Sequence, residues 1–353
     1  MKSIPAPTVP EVLAKAKATQ STYLSIEMIP PVRGEGITAV FNTLDVLMSA
    51  EPHFINVTHH SAERVLILHE DQWIEKTISK RPGTVGICAA LIQRYPKAVP
   101  IAHIICTGTT TEMIENNLID LNYLGIRNVL ALRGDLPKRI KAHTTTPTTN
   151  SVNAALPSPS RTGSSLADPQ SPASLRHKYA ADLIKQIKNL NQGIYLDPTL
   201  ITTTPTHFSI GVAGYPEKHI EANDELVDIN YLKQKIELGG AYIVTQMFFD
   251  NAKFFAFRDR CLKAGITVPI IPGLKPIATR KHLDILPKVF NISIPQELSH
   301  AVKTASSPEA VFNIGIEWCV NQCLELKKNG VPMLHFYTMN RSRNIEKIFK
   351  QVF

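Results

Sequence analysis

The chain has 353 residues, 44% of them hydrophobic and 19% charged, which is the balance of a soluble globular protein with a large core. It contains no apolar run of about eighteen residues and no signal-peptide pattern, so we expect a cytoplasmic protein without a membrane partner. The formal net charge of +8 comes from dispersed Lys and Arg without interleaved aromatic residues, so we expect no nucleic-acid partner, and a phosphate-bearing cofactor accounts for the charge equally well.

The predicted elements alternate along the chain. Residues 1–20 are expected to form an N-terminal helical extension, and short apolar or β-branched runs then alternate with longer segments of helical period. Eight runs are predicted strands, at 23–29, 54–58, 99–106, 128–132, 208–213, 242–246, 268–272 and 333–336. Eight repeated βα units predict a closed (β/α)8 TIM barrel, and such barrels reach this length as one domain.

One segment differs in composition. Residues 144–172 are dominated by Ser, Thr and Pro and offer almost nothing to bury. With its flanks, 139–175, the segment is predicted to be a flexible loop inserted on the surface of a single domain, 1–353. A linker between two domains is the alternative.

The five cysteines (Cys88, Cys106, Cys261, Cys319 and Cys323) form no metal-binding pattern. They are odd in number and lie in apolar surroundings, so they are expected to be reduced core thiols. Cys319 and Cys323 are four apart and could share a helix face, but no histidine or second cysteine pair accompanies them. We therefore expect no metal site.

Polar side chains stand at or just after the end of nearly every predicted strand. They are Glu27, Thr58 with His59, His103, Arg133 with Asp135, Tyr215, Gln246, Lys275, and Tyr337 with Arg341. In a barrel these strand ends converge on one pocket. An open doubly wound sheet is the main alternative, but its G-x-G-x-x-G fingerprint after the first strand is missing.

Glu27 is the predicted general acid. It interrupts an apolar strand just before Pro30 and Pro31, where partial burial would raise its pKa into a useful range. A solvent-facing glutamate, or one paired with a base, is an equally weighted alternative on the residues alone.

Asp135 follows Arg133 and Gly134 directly after a strand, and the glycine permits a close approach of the backbone to a ligand. The alternative is an Arg–Asp ion pair that ties a turn. For Thr58, His59 and His103 the alternative is structural hydrogen bonding. A solvated helix face would account for Lys235.

Eight segments, taken together, resemble the methylenetetrahydrofolate reductase family. They are SIEMIPP, FINVTHH, NVLALRGDLP, VAGYPEKH, VTQMFFD, RDRCLKAGI, PIIPGLKPI and LHFYTMNR. The resemblance runs from about Ser25 to Arg341, outside the Ser/Thr/Pro insertion.

The resemblance implies a barrel flavoprotein with noncovalent FAD that takes hydride from NADH or NADPH and converts 5,10-methylenetetrahydrofolate to 5-methyltetrahydrofolate in a ping-pong cycle. This reaction belongs to tetrahydrofolate interconversion and methionine biosynthesis, and a homo-oligomer is expected. Larger relatives carry a C-terminal regulatory domain that binds S-adenosylmethionine, and none is expected here because the chain ends soon after Arg341.

The resemblance also implies site roles. Glu27 matches the general acid, and Asp135 lies near both the flavin and the pterin. The FAD contacts are Thr58, His59, His103, Arg133, Gly134, Asp135, Tyr215, His219, Ala222, Asp228 and Lys235. The folate contacts are Gln246, Tyr337 and Arg341, and a helix-cap role is the alternative for Arg341. The sequence departs from the family at His59, commonly Tyr, at His282, commonly Gln, and at Gln234, where Arg can stand.

Besides a basic nucleic-acid-binding protein, which would bind unrelated nucleic acids in a salt-sensitive way and hold no flavin, two other functions remain open on the sequence. One is a different barrel flavoprotein, such as a proline-dehydrogenase-like oxidase, in which the acid and folate positions would be coincidental. The other is a noncatalytic flavin or folate carrier that keeps the pocket.

Overall fold

The computed structural model describes residues 6–69, 72–135, 139–143 and 175–353. Its strands are β1 (Tyr23–Met28), β2 (Phe54–Val57), β3 (Glu63–His69), β4 (Gln72–Ile78), β5 (Val99–Ile105), β6 (Asn128–Leu132), β7 (Arg139–His143), β8 (Ser209–Gly214), β9 (Gly240–Met247), β10 (Ile270–Leu274) and β11 (Met333–Tyr337). Its helices are α1 (Val9–Ala18), α2 (Thr38–Leu47), α3 (Thr84–Arg94), α4 (Thr111–Tyr123), α5 (Ala180–Asn191), α6 (Glu225–Glu237), α7 (Asn251–Lys263), α8 (His282–Phe290), α9 (Gln296–Thr304), α10 (Pro308–Lys328) and α11 (Ser342–Val352), with a short 3₁₀ helix at Met48–Ala50.

Eight of the strands close into a parallel barrel in the order β1, β2, β5, β6, β8, β9, β10, β11, and β11 pairs with β1 to complete the ring. Each matches a predicted strand to within about two residues at either end. The (β/α)8 barrel is therefore confirmed. Alternate residues of each strand face outward, as in β1, where Leu24 and Ile26 belong to the same core cluster as Val40 and Leu44 of α2. Ser25 and Glu27 consequently face the lumen.

Helix α1 covers the amino-terminal end of the barrel. Its Val9, Val12 and Leu13 join a core cluster inside the lumen that includes Phe54 and Tyr242. Fully buried Asn128, at the start of β6, accepts a hydrogen bond from the Val9 N–H at 2.8 Å and donates one to the Pro7 carbonyl at 2.9 Å. A helix thus stands at Val9–Ala18, within the predicted extension 1–20, and the opposite end of the barrel is left for the polar side chains.

A small sheet of order β4-β3-β7 was not predicted. The antiparallel hairpin of β3 and β4 follows β2, and β7 follows β6 and pairs in parallel with β3, so both parts leave the carboxyl end of the barrel. The prediction of a loop over 139–175 is corrected at its start, because 139–143 form β7. These five residues, RIKAH, have no apolar run, and their extended form depends on pairing with β3. Residues 144–174 lie outside the described ranges.

All five cysteines are free and buried, in agreement with the predicted core thiols. Burial raises the pKa of the Cys88 thiol to about 12, so it is neutral at physiological pH. Cys319 and Cys323 lie on one buried side of α10. Among the helices in the described ranges, none has the length and apolar character needed to cross a membrane.

Candidate active site

The barrel gathers the predicted site residues at its carboxyl end. Glu27, His103, Gln246 and Tyr337 belong to the last three residues of their strands, and Thr58, Arg133, Tyr215 and Lys275 directly follow theirs. In the strand register, Glu27 lies between Asn56 on β2 and Tyr337 on β11. Positions far apart in the chain therefore line one opening of the barrel.

Glu27 is buried, with 9% of its surface exposed, and its carboxyl group makes no hydrogen bond with another described residue. Burial raises its pKa to about 8, and the nearby charge of Lys275 opposes this rise. The group is therefore protonated at neutral pH and can donate a proton. The alternative of a solvent-facing glutamate is wrong.

The segment after β11 fixes the backbone beside Glu27. The Thr338 hydroxyl donates to the Glu27 carbonyl at 2.6 Å. The Asn340 side chain pairs with the backbone of Ile29, donating to its carbonyl at 2.7 Å and accepting from its N–H at 2.9 Å. Both Met339 (φ +51°) and Asn340 (φ +54°) adopt the left-handed conformation that this turn requires. Sequence reasoning quoted these residues only as part of a motif and missed their contacts.

Asn340→Gly should lower the free energy of unfolding by about 1–3 kcal/mol, because it removes both hydrogen bonds to the Ile29 backbone while glycine keeps the left-handed backbone accessible. The measurement is urea denaturation. The matched control is Met339→Gly, which changes a neighbouring left-handed residue whose side chain makes no hydrogen bond with the described residues. Equal stability of the two variants would argue against the role assigned to Asn340.

A neutral hydrogen-bonded chain crosses the lumen next to Glu27. The Asn56 amide donates to the Ser25 hydroxyl at 2.9 Å, and that hydroxyl lies 3.0 Å from His335 Nδ1. His103 Nε2 lies 3.3 Å from Asn56 Oδ1, which can only accept, so this nitrogen carries the proton. Burial lowers the pKa of His103 and that of His335 to about 3 each. The chain therefore brings no charge to the acid, and the inward positions of Ser25, Asn56 and His335 follow from the period of two in their strands.

Arg133 does not pair with Asp135. Both of its terminal nitrogens lie 2.7 Å from the Glu221 carboxylate, so the alternative of an Arg–Asp ion pair is wrong. Sequence reasoning missed Glu221, since no pattern links two residues so far apart in the chain. Asp135 keeps an exposed carboxylate, and its backbone carbonyl accepts from the Ser61 hydroxyl at 3.0 Å.

Gly134 is required by its conformation and its surroundings. Its φ is +84°, in the region that favours glycine, and an added Cβ would lie 3.0 Å from Ile105. A residue with a side chain would therefore be strained at this turn and would press against Ile105.

The segment after β8 forms a second part of the site. The ring of Tyr215 meets that of His219 edge to face at 4.6 Å, and the Asp228 carboxylate accepts from the His219 N–H at 3.1 Å. Ala222 is buried in the same turn, and its N–H donates to the His219 carbonyl at 3.0 Å. The predicted clustering of these residues is therefore observed.

Lys235 is half-buried on α6 and donates to the Ala213 carbonyl at 2.8 Å. Burial lowers its pKa to about 8, although the charge of Asp228 opposes this. The alternative of a solvated helix face is wrong. The lysine reaches from its helix to the end of β8 and places a cation near Asp228.

One polar atom in the site lacks a partner. His59 Nδ1 is buried without a hydrogen bond to the described residues, whereas the Thr58 hydroxyl lies 2.9 Å from His60 Nε2. Burial lowers the pKa of His59 to about 4, so the ring is neutral. A buried nitrogen of this kind costs stability unless a bound molecule supplies its partner.

The remaining predicted residues lie around β9 to β11. The Tyr337 hydroxyl donates to the Thr245 carbonyl at 2.6 Å, and its ring occupies space that Gly273 leaves, where a Cβ would come within 2.6 Å of it. The Gln246 side-chain oxygen accepts from the Met247 N–H at 2.9 Å, which leaves its NH₂ group available. Arg341 is exposed at the N-cap position of α11, and its side chain makes no hydrogen bond with a residue in the described ranges, which argues against the helix-cap alternative.

Two basic side chains complete this side. Lys275 is half-buried, and burial lowers its pKa to about 8, while Glu27 raises it and Arg341 lowers it. His282 Nδ1 accepts from the Ala278 N–H at 3.2 Å, and burial together with Lys275 and Arg341 lowers its pKa to about 4. Lys275 thus lies within electrostatic range of Glu27, Arg341 and His282.

The chain is similar to known proteins in sequence and in fold. A family model described as methylenetetrahydrofolate reductase matches residues 12–156 and 162–353. Methylenetetrahydrofolate reductase 2 of Saccharomyces cerevisiae is 32% identical over 325 residues, which cover 90% of this chain and 45% of that protein. The 5,10-methylenetetrahydrofolate reductase of Escherichia coli is 29% identical over 322 residues, covering 90% of this chain and 86% of that protein. This chain therefore spans about half the length of its yeast relatives.

Among solved structures, an uncharacterized protein from Clostridium thermocellum that binds two copies of 5-methyl-5,6,7,8-tetrahydrofolic acid has a TM-score of 0.54. It is 12% identical, and the match covers 97% of each chain. At this identity the likeness establishes the fold.

Proposed function

Because the chain belongs to the methylenetetrahydrofolate reductase family, we propose that it reduces 5,10-methylenetetrahydrofolate to 5-methyltetrahydrofolate with NADH or NADPH as the reductant. The observation that carries this proposal is Glu27, a buried carboxyl group at the carboxyl end of the barrel. Burial raises its pKa to about 8, so the group is protonated at neutral pH. A protonated acid is what the folate substrate requires.

The substrate holds its one-carbon group in a five-membered ring between two nitrogens. To open this ring, the proton of Glu27 passes to the departing nitrogen, the bond between that nitrogen and the carbon breaks, and an iminium remains with the other nitrogen. Glu27 is left as a carboxylate, and the iminium carbon can accept hydride. Glu27 then recovers a proton from solvent for the next turnover.

FAD, when bound, would carry the hydride from the reduced nicotinamide to the folate. The residues present fit this group. The unpaired nitrogen of His59 offers a hydrogen-bonding partner. We assign a backbone contact to Gly134, whose φ of +84° turns the chain directly after β6. We assign the other contacts to Thr58, His103, Arg133, Asp135, Tyr215, His219, Ala222, Asp228 and Lys235.

Within that set, Lys235 is the half-buried cation that suits a pyrophosphate in a fold without a glycine-rich phosphate loop. Asp135, with its exposed carboxylate, would disfavour negative charge on a ring system bound next to it. Tyr215 and His219 supply an aromatic wall.

Gln246, Tyr337 and Arg341 would bind the folate. The free NH₂ group of Gln246 suits a pterin edge and also the carboxamide of a nicotinamide, so the two substrates would use it in turn. Tyr337 is held by Thr245 and lines the same side. The exposed guanidinium of Arg341 can grip a substrate carboxylate with two hydrogen bonds.

The test is the absorbance spectrum of the purified protein, followed without oxygen. NADH or NADPH should bleach a flavin band, and methylenetetrahydrofolate should restore it. Bleaching without restoration by the folate would instead indicate another barrel flavoprotein. A yellow protein that cannot oxidise reduced nicotinamide with menadione as acceptor would indicate a carrier. Either of these results would refute the proposal.

A further inference from the structure

Lys275 faces the acid from two strands away. Barrel order places β11 between β1 and β10, so Glu27 and Lys275 stand on alternate strands at the same end, with backbones about 10 Å apart. Tyr337 lies between them, in register with Glu27. Both side chains are long enough to extend toward each other across this gap.

The ammonium group of Lys275 has no partner of its own. It makes no hydrogen bond and no ion pair with a residue in the described ranges, although the side chain is half-buried. Lysine is usually solvated, and an unpaired half-buried ammonium is costly. This unfavourable ammonium lies near Glu27, the buried carboxyl group that the proposed mechanism uses.

We propose that Lys275 is a positioning residue whose ammonium stabilises the carboxylate that Glu27 becomes when it gives up its proton. This inference rests on the proposed function, since it names what supports the acid in that reaction. Burial favours the neutral acid and so holds back proton release. A cation aimed at the site where negative charge develops offsets this, and in a poorly solvated site its effect is larger than in water.

Other groups around Glu27 do not duplicate this charge. Asn56 from β2 is neutral, and Tyr337 from β11 stays protonated because burial, together with Glu27, raises its pKa well above the ordinary value. His282, at the start of α8, is neutral because its pKa is lowered to about 4. Arg341 acts on Lys275 and lowers its pKa. Lys275 is the charged side chain that acts on the Glu27 carboxyl group.

The pH dependence has a definite sign. Lys275 favours the ionised form of Glu27 and so lowers a pKa that burial has raised to about 8. Without the cation this pKa should rise further, by on the order of one unit. A step that needs protonated Glu27 should then persist to higher pH, while becoming slower because the carboxylate product is less stable.

The experiment compares Lys275→Met with Lys288→Met, which removes the same charge from an exposed position on α8. Titration of ¹³C-labelled glutamate carboxyl groups by NMR, with the Glu27 signal identified by its loss in Glu27→Gln, should show Glu27 ionising at higher pH in Lys275→Met only. In Lys275→Arg, which keeps the charge at every pH, Glu27 should ionise at the wild-type pH or lower, because the pKa of Lys275 is itself lowered to about 8.

The folate step gives a second readout. In Lys275→Met the pH at which the folate step begins to slow should rise by about one unit. At lower pH the rate of the folate step should fall about tenfold, while bleaching by reduced nicotinamide should be unchanged. An unmoved Glu27 titration in Lys275→Met would overturn the inference, as would loss of both steps alike. A wild-type protein that fails the folate step would refute the proposed function instead, and the NMR titration would still test the coupling between the two side chains.

Discussion

Glu27→Gln should leave the oxidation of NADH or NADPH near its wild-type rate and slow the reduction of methylenetetrahydrofolate by about 10²- to 10⁴-fold. Glutamine keeps the size and shape of the side chain and removes the proton that opens the substrate ring. The reductant requires no such proton. The two steps can be followed separately by rapid mixing without oxygen, as loss and recovery of flavin absorbance.

The pH profile adds a second criterion. Since burial raises the pKa of Glu27 to about 8, the folate step of the wild-type protein should be level at neutral pH and fall as the pH rises through that value. Glu51→Gln is the control, because Glu51 is an exposed carboxylate just before β2. Equal slowing of both steps in Glu27→Gln would contradict the role of this residue as the acid.

Gly315→Ala should lower the free energy of unfolding by about 3 kcal/mol or more. Helix α10 crosses the loop after β10 so closely that an added Cβ at Gly315 would lie 1.8 Å from the Ile277 carbonyl oxygen. A backbone oxygen cannot rotate away as a side chain can, so the helix or the loop must move. That loop begins with Lys275, and the folate step should therefore slow as well.

The matched control is Gly86→Ala on α3, where the added Cβ meets no atom within 4 Å. Alanine is the better helix former, so this variant should be as stable as wild type or more stable by up to about 1 kcal/mol. Urea denaturation of both variants measures the difference. Similar stabilities for the two would show that the contact at Gly315 is not tightly packed.

The barrel was predictable because its signal is local. Each strand is a short apolar run. The convergence of the polar side chains at the eight run ends follows from the rule that parallel strands of a barrel end at one face. Strand β7 was not predictable in this way. Residues 139–143 form a strand only because β3 offers them an edge, and that partner lies far away in the chain.

The residues of the candidate site divide in the same way, into those that a local pattern predicts and those that depend on a distant partner. Glu27 and Gln246 follow from their positions in strands, whereas the roles of His219 and Asp228 rest on the family resemblance. The pairing of Arg133 with Glu221 and of Asn340 with Ile29 depends on loops brought together by the closed barrel. The sequence shows Lys275 as a charged residue at a strand end. Its electrostatic effect on Glu27 could be inferred only once the order of the strands in the barrel was known.

The helix at the far end of the barrel also bears on the acid. Water that entered from below would solvate the lumen and weaken the desolvation on which the high proton affinity of Glu27 depends. By closing that end of the barrel, α1 and its anchor Asn128 help to keep the lumen dry and so to keep the pKa of Glu27 high. The proton affinity of Glu27 thus depends in part on packing at the end of the barrel opposite the candidate site.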